Sequence, residues 1–412
     1  MTHRGPEVES EGRAAEDRPL RVLVLGHGAE RTGPPVYLLR LAEWFHDRPD
    51  IELEVVLLDD GPLLEPLRRF APVTVLPEWR LRGRRRYVTS VANRIGSPAL
   101  AQRGREFSLR PSARHLRPAD VVYINTAGSV RALRYLPFRP SLVVTHVHEL
   151  SLGLERYLRP EDRALIEDVT GHYLTVSSPV HRYLVDNWGI DPARMGHAAG
   201  VVELPPPPAG RPRDEIRALV GAGPDDLVVG TAGTVDWRKA PDLFLALAQM
   251  VHRRLDRRVV FVWLGGNPDS PVWEAAHADR ARADLEDVVH FVGEQPDPID
   301  WLRALDLFVL PSREDAYPLV CLEAASVGVP TVCFATGGIA DFVAPDGEEP
   351  AGAVVPYPDL VGFVAAVEAL LTDPDERRRR GEVACRRVTE RHAVAVGAQG
   401  LLDDLREVVA RA

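Results

Sequence analysis

The chain holds 50 basic residues, and only one of them, Lys239, is a lysine. In a sequence that has drifted so far to arginine, a surviving lysine marks a place where a compact ammonium serves and a planar guanidinium does not. The alternative is chance, and the neighbours decide between them. Lys239 lies in Gly233-Thr234-Val235-Asp236-Trp237-Arg238-Lys239-Ala240-Pro241-Asp242, where an apolar run ends in glycine and a helical pattern begins. The first N–H groups of a helix already favour an anion. Arg238 and Lys239 beside them read as a diphosphate site rather than a solvated basic turn.

A second stretch, 311–324, pairs an acidic loop containing Glu314 and Asp315 with an apolar helix starting near Leu319. Glu323 falls about one turn into that helix. A carboxylate buried there requires a hydrogen-bonding partner, either the hydroxyls of a ribose or a structural partner in the protein. The third is Thr145-His146-Val147-His148-Glu149-Leu150, a strand exit whose His and Glu suit sugar hydroxyls or a proton. No third ligand stands at a metal-binding spacing. The fourth is Gly26 to Pro35, with glycines at 26, 28 and 33. These permit close backbone approach, and Pro34 or Pro35 suits a first helical turn, but the spacing is not G-x-G-x-x-G.

Such loops need a scaffold that sets them side by side. Short apolar, β-branched runs recur at 20–26, 53–58, 73–76, 120–125, 141–146 and 173–177. A second series follows at 227–233, 259–264, 288–292, 306–310 and 330–334. Runs apolar on both faces belong to parallel sheets covered by helices. Helical patterns at 34–47, 179–188, 240–255, 272–286 and 359–372 fill the gaps. The expected fold class is α/β, with two doubly wound Rossmann-like domains facing each other across a cleft. Ligands in such sheets bind beyond the carboxyl ends of the strands, which is where the four loops fall. The proline run 205–208 marks a stiff connector. The expected domains are 19–202 and 203–385, with 1–18 a disordered tail and 386–412 a helical segment that packs back across the junction.

Composition narrows the setting. The chain is 412 residues long, 45% hydrophobic and 27% charged, with a formal net charge of −10. Its three scattered cysteines, Cys321, Cys333 and Cys385, suit a reducing compartment and form no disulfide framework. No apolar run reaches membrane-span length and no signal peptide opens the chain, so a cytoplasmic protein is expected. The Asp373-x-Asp375 pair sits before a late helix, not at a strand end, and is discounted as a metal site.

Taken together, residues 306–341 (DLFVLPSREDAYPLVCLEAASVGVPTVCFATGGIAD) resemble the donor-site signature of retaining glycosyltransferase family 4, whose fold is GT-B. Its hallmark is two glutamates separated by seven residues. Glu323 matches the second, which in the family binds the donor ribose. Asp315 stands at the first, which contacts the transferred sugar, while Glu314 is one residue too early. The resemblance assigns the backbone of Ala316, Tyr317, Pro318, Leu319 and Val320 to the sugar and phosphates. It assigns Lys239 to the diphosphate and His148 to the reacting sugar. Gly33 is assigned to the phosphate and acceptor side, and the main chain of Val292 and Gly293 to the base. The family arginine falls at Thr234, with Arg238 placed to compensate, and Asp341 replaces a usual glutamate. The resemblance runs from residue 20 to about 385, strong in the second domain and diffuse in the first.

It implies a retaining transfer of a hexose-type sugar from a nucleoside-diphosphate sugar, with no metal or other cofactor. His148, Asp315 and Lys239 are the catalytic candidates. A non-catalytic sugar-nucleotide-binding protein, a nucleotide-sugar epimerase or a phosphorylase would share the fold. Residues 80–117 carry eleven arginines against one acid, Glu106. That asymmetry suits an anionic acceptor or an acidic membrane surface touched peripherally, and with few interleaved aromatics it does not suit nucleic acid.

Overall fold

The computed structural model describes residues 18–78, 98–204 and 210–412. Two parallel sheets organise them. The first takes β1 (Leu20–Gly26), β2 (Ile51–Leu57), β3 (Val73–Val75), β4 (Val121–Ile124), β5 (Val143–Val147), β6 (His172–Thr175) and β7 (Met195–His197). Its order is β3-β2-β1-β4-β5-β6-β7. The second takes β8 (Leu227–Ala232), β9 (Val259–Leu264), β10 (Val289–Gly293), β11 (Leu307–Leu310), β12 (Thr331–Phe334) and β13 (Gly352–Val355), ordered β10-β9-β8-β11-β12-β13. β4, β9, β11 and β12 are buried at every residue, as runs apolar on both faces must be.

Strand order reverses between β1 and β4 in one sheet and between β8 and β11 in the other. Those switch points open a crevice at the carboxyl ends of the strands. Adjacency of β8 and β11 therefore brings the loop of Lys239 against the loop of Asp315, and the Arg313 amide donates to the Arg238 carbonyl at 2.7 Å.

The boundary expected at 385/386 falls inside a helix, Pro374–His392, which is unbroken because its apolar residues Val383, Ala384 and Val388 all join the second domain's core. The chain crosses back only after His392. Its last helix, Val394–Arg411, buries Ala398, Leu401, Leu402 and Leu405 in the first domain's core, beside Tyr37, Leu38 and Leu41. The outgoing crossing runs alongside: Val202 bridges Ala393, donating to the His392 carbonyl at 2.8 Å and accepting from the Val394 amide at 3.0 Å.

The proline run 205–208, residues 1–17 and residues 79–97 lie outside the described residues. Of the arginine-rich stretch, the helix Pro98–Ala113 is described, and not all its cations face solvent. Arg105 turns inward to the buried Glu78 carboxylate at 3.8 Å. Asp373 caps the helix that follows it, accepting from the Glu376 amide at 2.9 Å, which gives the Asp-x-Asp pair a structural role. No helix among the described residues is long and apolar enough to cross a membrane.

Candidate functional site

The loop after β8 is built around Asp236. Its carboxylate accepts from the amides of Arg238 (2.9 Å) and Lys239 (3.1 Å) and from the Thr234 hydroxyl (2.8 Å). This local turn delivers Lys239 just ahead of α1 (Pro241–Arg254). Gly233, at φ 143°, lies beneath the lysine stem: a Cβ there would stand 3.0 Å from Lys239 Cε. Thus supported, the ammonium donates to Asp315 Oδ2 at 2.5 Å. Arg238 turns back on Asp236 at 3.3 Å.

In the loop after β11 neighbouring acids part company. Glu314 reaches the first domain, where it accepts from Ser151 Oγ (3.3 Å) and the amides of Leu152 and Gly153 (both 3.2 Å). Asp315 turns to Lys239. The loop passes so close to Gly337 that a Cβ there would lie 1.7 Å from the Asp315 carbonyl oxygen. Next in line, Ala316 is buried against the first domain's core, and Tyr317 packs against both domains. Its hydroxyl donates to His392 Nε2 at 3.2 Å, leaving His392 Nδ1–H for the Gly200 carbonyl at 2.9 Å.

Glu323, in the helix α2 (Leu319–Ser326), has a partner that sequence reasoning did not find. Arg40 of the first domain donates from Nη2 to Glu323 Oε1 at 2.6 Å and from Nη1 to the Val201 carbonyl at 2.9 Å. Arg40 lies on the helix Gly33–His46, one helical turn past Tyr37. Its sequence signal is faint: a single cation among apolar positions.

From the first domain, β5 carries His146 near its end, and His148 follows one residue past it. Burial holds the His146 imidazole neutral, its pKa lowered to about 3, and depresses His148 as well. Glu149 points inward, accepting from the amides of His148 (3.0 Å) and Ala127 (3.4 Å), and burial raises its pKa.

These parts enclose a cleft of ≈ 360 Å³ between the two sheets. Gly33, His148, Arg238, Lys239, Asp315, Tyr317, Pro318, Leu319, Val320 and Glu323 all line it, and Thr234, Arg31 and Tyr37 do so as well. A Cβ at Gly33 would meet nothing within 4 Å, so openness rather than steric need marks that position. Ala316, Val292 and Gly293 are not among the lining residues. The Val292 carbonyl accepts from Gln295 Nε2 at 2.6 Å and the Gly293 carbonyl from the Gly265 amide at 2.7 Å. Asp341 is exposed and outside the lining. Among the described residues no group of three or more His, Cys, Asp or Glu is placed to hold a metal.

Two facing parallel α/β sheets with a polar cleft between their switch points define the GT-B architecture. HepE of Anabaena, solved in complex with UDP and glucose, superposes with a TM-score of 0.74 at 17% identity, covering 94% of this chain and 100% of that one. That likeness establishes the fold. Residues 226–373, in the second domain, match the model of the glycosyl transferases group 1 family, in line with the family 4 resemblance of that domain's sequence. The D-inositol 3-phosphate glycosyltransferase of Kribbella flavida is 34% identical over 243 residues, 57% of this chain and 54% of the relative. The lipopolysaccharide core biosynthesis mannosyltransferase LpsB of Rhizobium meliloti is 32% identical over 162 residues, 39% of this chain and 46% of the relative. The chain spans about half the length of the curated relatives it matches.

Proposed function

We propose that this protein is a retaining glycosyltransferase that moves a hexose-type sugar from a nucleoside-diphosphate sugar to a separate acceptor. The observation that carries the reading is the convergence of Lys239, Arg238, Asp315 and Glu323 with His148 and Gly33 on one interdomain cleft. The match of residues 226–373 supports transfer chemistry, and the names of the relatives and the UDP and glucose bound to HepE support a nucleotide-sugar donor.

In this reading Lys239 and Arg238, with the N-termini of α1 and α2, neutralise the departing diphosphate. Stabilising charge as it develops is usually the largest catalytic contribution. Glu323 takes the ribose hydroxyls, Asp315 and His148 take hydroxyls of the transferred sugar, and the backbone from Ala316 to Val320 meets the phosphates. The main chain of Val292 and Gly293 meets the base. The bond from the anomeric carbon to the phosphate oxygen breaks, and the acceptor oxygen bonds on the same face. The acceptor's proton passes to the leaving phosphate, so retention needs no protein nucleophile. Fixed cations and helix dipoles carry the charge without a metal. The acceptor binds the first domain, whose arginine-rich stretch 80–117 suits either an anionic acceptor or peripheral contact with an acidic inner-membrane surface from the cytoplasmic side.

The test is a thermal-shift screen against UDP, GDP, dTDP and ADP with and without magnesium, because a ligand that binds only the native state raises its stability. One diphosphate should shift the wild type without magnesium and should not shift Lys239→Ala. Folded protein indifferent to all four would refute the donor site. Product analysis with the matching nucleotide sugar then reads anomeric configuration.

A further inference from the structure

Behind His148 lies a row of buried polar groups that the transfer reading leaves unused. His146 is fully buried, and its Nε2 faces the Ala198 carbonyl oxygen at 2.9 Å. A carbonyl only accepts, so Nε2 carries the ring's proton. The ring is neutral, so Nδ1 is bare and can only accept. Two groups approach that nitrogen: the Tyr123 hydroxyl at 2.5 Å and His148 Nε2 at 3.1 Å. Tyr123 spends its proton on His146 and leaves its oxygen to accept. Every proton in the row from Tyr123 through His146 to the Ala198 carbonyl is thereby assigned a direction.

That direction reaches His148. Were His148 Nε2 bare, two nitrogen lone pairs would oppose each other at 3.1 Å in a buried setting. The proton of His148 therefore sits on Nε2, and Nδ1 is the ring nitrogen left with a lone pair. His148 is one of the cleft's lining residues. Tyr37 stands edge-on to both imidazoles with centroids 5.3 Å apart, and the two imidazoles lie 4.0 Å apart, so the ring has little room to turn over.

The geometry points to His146 and Tyr123 as positioning residues that fix His148 in one tautomer, with Nε2–H turned inward and Nδ1 offered to the cleft ligand as an acceptor for a hydroxyl. The ligand class is a polyhydroxylated one, and a hydroxyl proton rather than a carbonyl or phosphate oxygen is what this nitrogen meets. The assignment of that hydroxyl to a sugar rests on the transfer reading. The tautomer does not.

Nitrogen-15 spectra of histidine-labelled protein, assigned with a His148→Asn variant, read the tautomer directly and need no substrate. In the wild type His148 should show a protonated, pyrrole-type Nε2 and a bare, pyridine-type Nδ1. Tyr123→Phe removes the competing donor, so His148 should keep that tautomer with a shorter hydrogen bond to His146. His146→Leu removes the acceptor, and folded protein should then show exchange between both tautomers. Transfer by His146→Leu should fall roughly two- to tenfold in kcat/KM, the worth of one neutral hydrogen bond. A wild-type His148 protonated on Nδ1 or exchanging between tautomers overturns the proposal, even if His146→Leu fails to fold. So does a Tyr123→Phe protein whose His148 releases Nε2, or a folded His146→Leu protein with an unchanged His148. A correct tautomer in a protein that transfers nothing would sink the transfer reading alone.

Discussion

Arg40 and Glu323 are 283 residues apart in sequence and form a 2.6 Å ion pair that joins the two domains inside the cleft. Both side chains are largely buried, so neither finds water as a ready substitute. Removing the guanidinium leaves a largely buried carboxylate with its charge uncompensated. Arg40→Ala should lower unfolding stability by about 2 kcal/mol, the scale of a hydrogen bond to a charged group. Urea denaturation with an unchanged m-value checks this, and a loss below about 0.5 kcal/mol, the range of an exposed pair, would show that the pair is solvent-screened.

Lys239 depends on Gly233 as much as on its own charge. Lys239→Ala should weaken nucleoside-diphosphate binding roughly tenfold to a hundredfold, the loss of one charge-assisted hydrogen bond. Gly233→Ala introduces a Cβ 3.0 Å from Lys239 Cε at a backbone angle that side chains rarely adopt. It should weaken binding in the same way without touching a charge, and calorimetric titration of both variants compares them. Lys239→Arg should not restore affinity, because a planar fork does not fit where a compact ammonium sat.

Glu314 does for the first domain what a capping residue does for its own helix. Glu314→Ala removes three acceptor contacts on Ser151, Leu152 and Gly153 and should cost about 1 kcal/mol, as lost helix caps do. Hydrogen exchange at the amides of Leu152 and Gly153 should speed up first. Unchanged exchange at those amides would mean that water replaces the carboxylate at no cost.

Acid should destabilise the fold earlier than carboxylate titration would. His146, His148 and His392 are all held neutral by burial, with folded pKa values below the ordinary value near 6.5. Below pH 6.5 the unfolded chain binds protons that the native state refuses. Stability is fully present above 6.5 and falls as pH drops towards about 4, the folded value of His392. Each histidine adds a slope approaching ~1.4 kcal/mol per pH unit in that window. Glu149, raised by burial, has the opposite sign: its contribution is present below the ordinary value of 4.5 and is lost as pH rises through the folded value. Thermal melts from pH 7.5 to 5 should show the decline, and His392→Gln should flatten it.

The second domain was the more legible half. β8 to β12 are apolar on both faces, and the loops they carry hold polar residues that stand out against them. Two short strands escaped. β7 is Met-Gly-His, with no β-branched residue, and β13 lies among glycine, proline and acidic residues that read as loop. The site's cations and acids were visible as residue types, but not their pairing. Nothing local to Glu323 announces Arg40, and nothing near His148 announces Tyr123, because strand order rather than spacing makes them neighbours. The spacing to Glu323 set Asp315 apart from Glu314, but nothing local announced that Glu314 reaches Ser151, Leu152 and Gly153, because that follows from where the first domain lies.

The paired crossing at Val202 and Ala393 has a mechanical consequence. A single tether would let one domain swivel on the other, and the cleft walls could meet in any rotation. Two lengths of backbone laid side by side and bonded to each other act like the knuckles of a door: they permit swing about one line and resist twist. Whatever swing admits or releases a ligand, Lys239 and His148 must come back to the same facing positions each time.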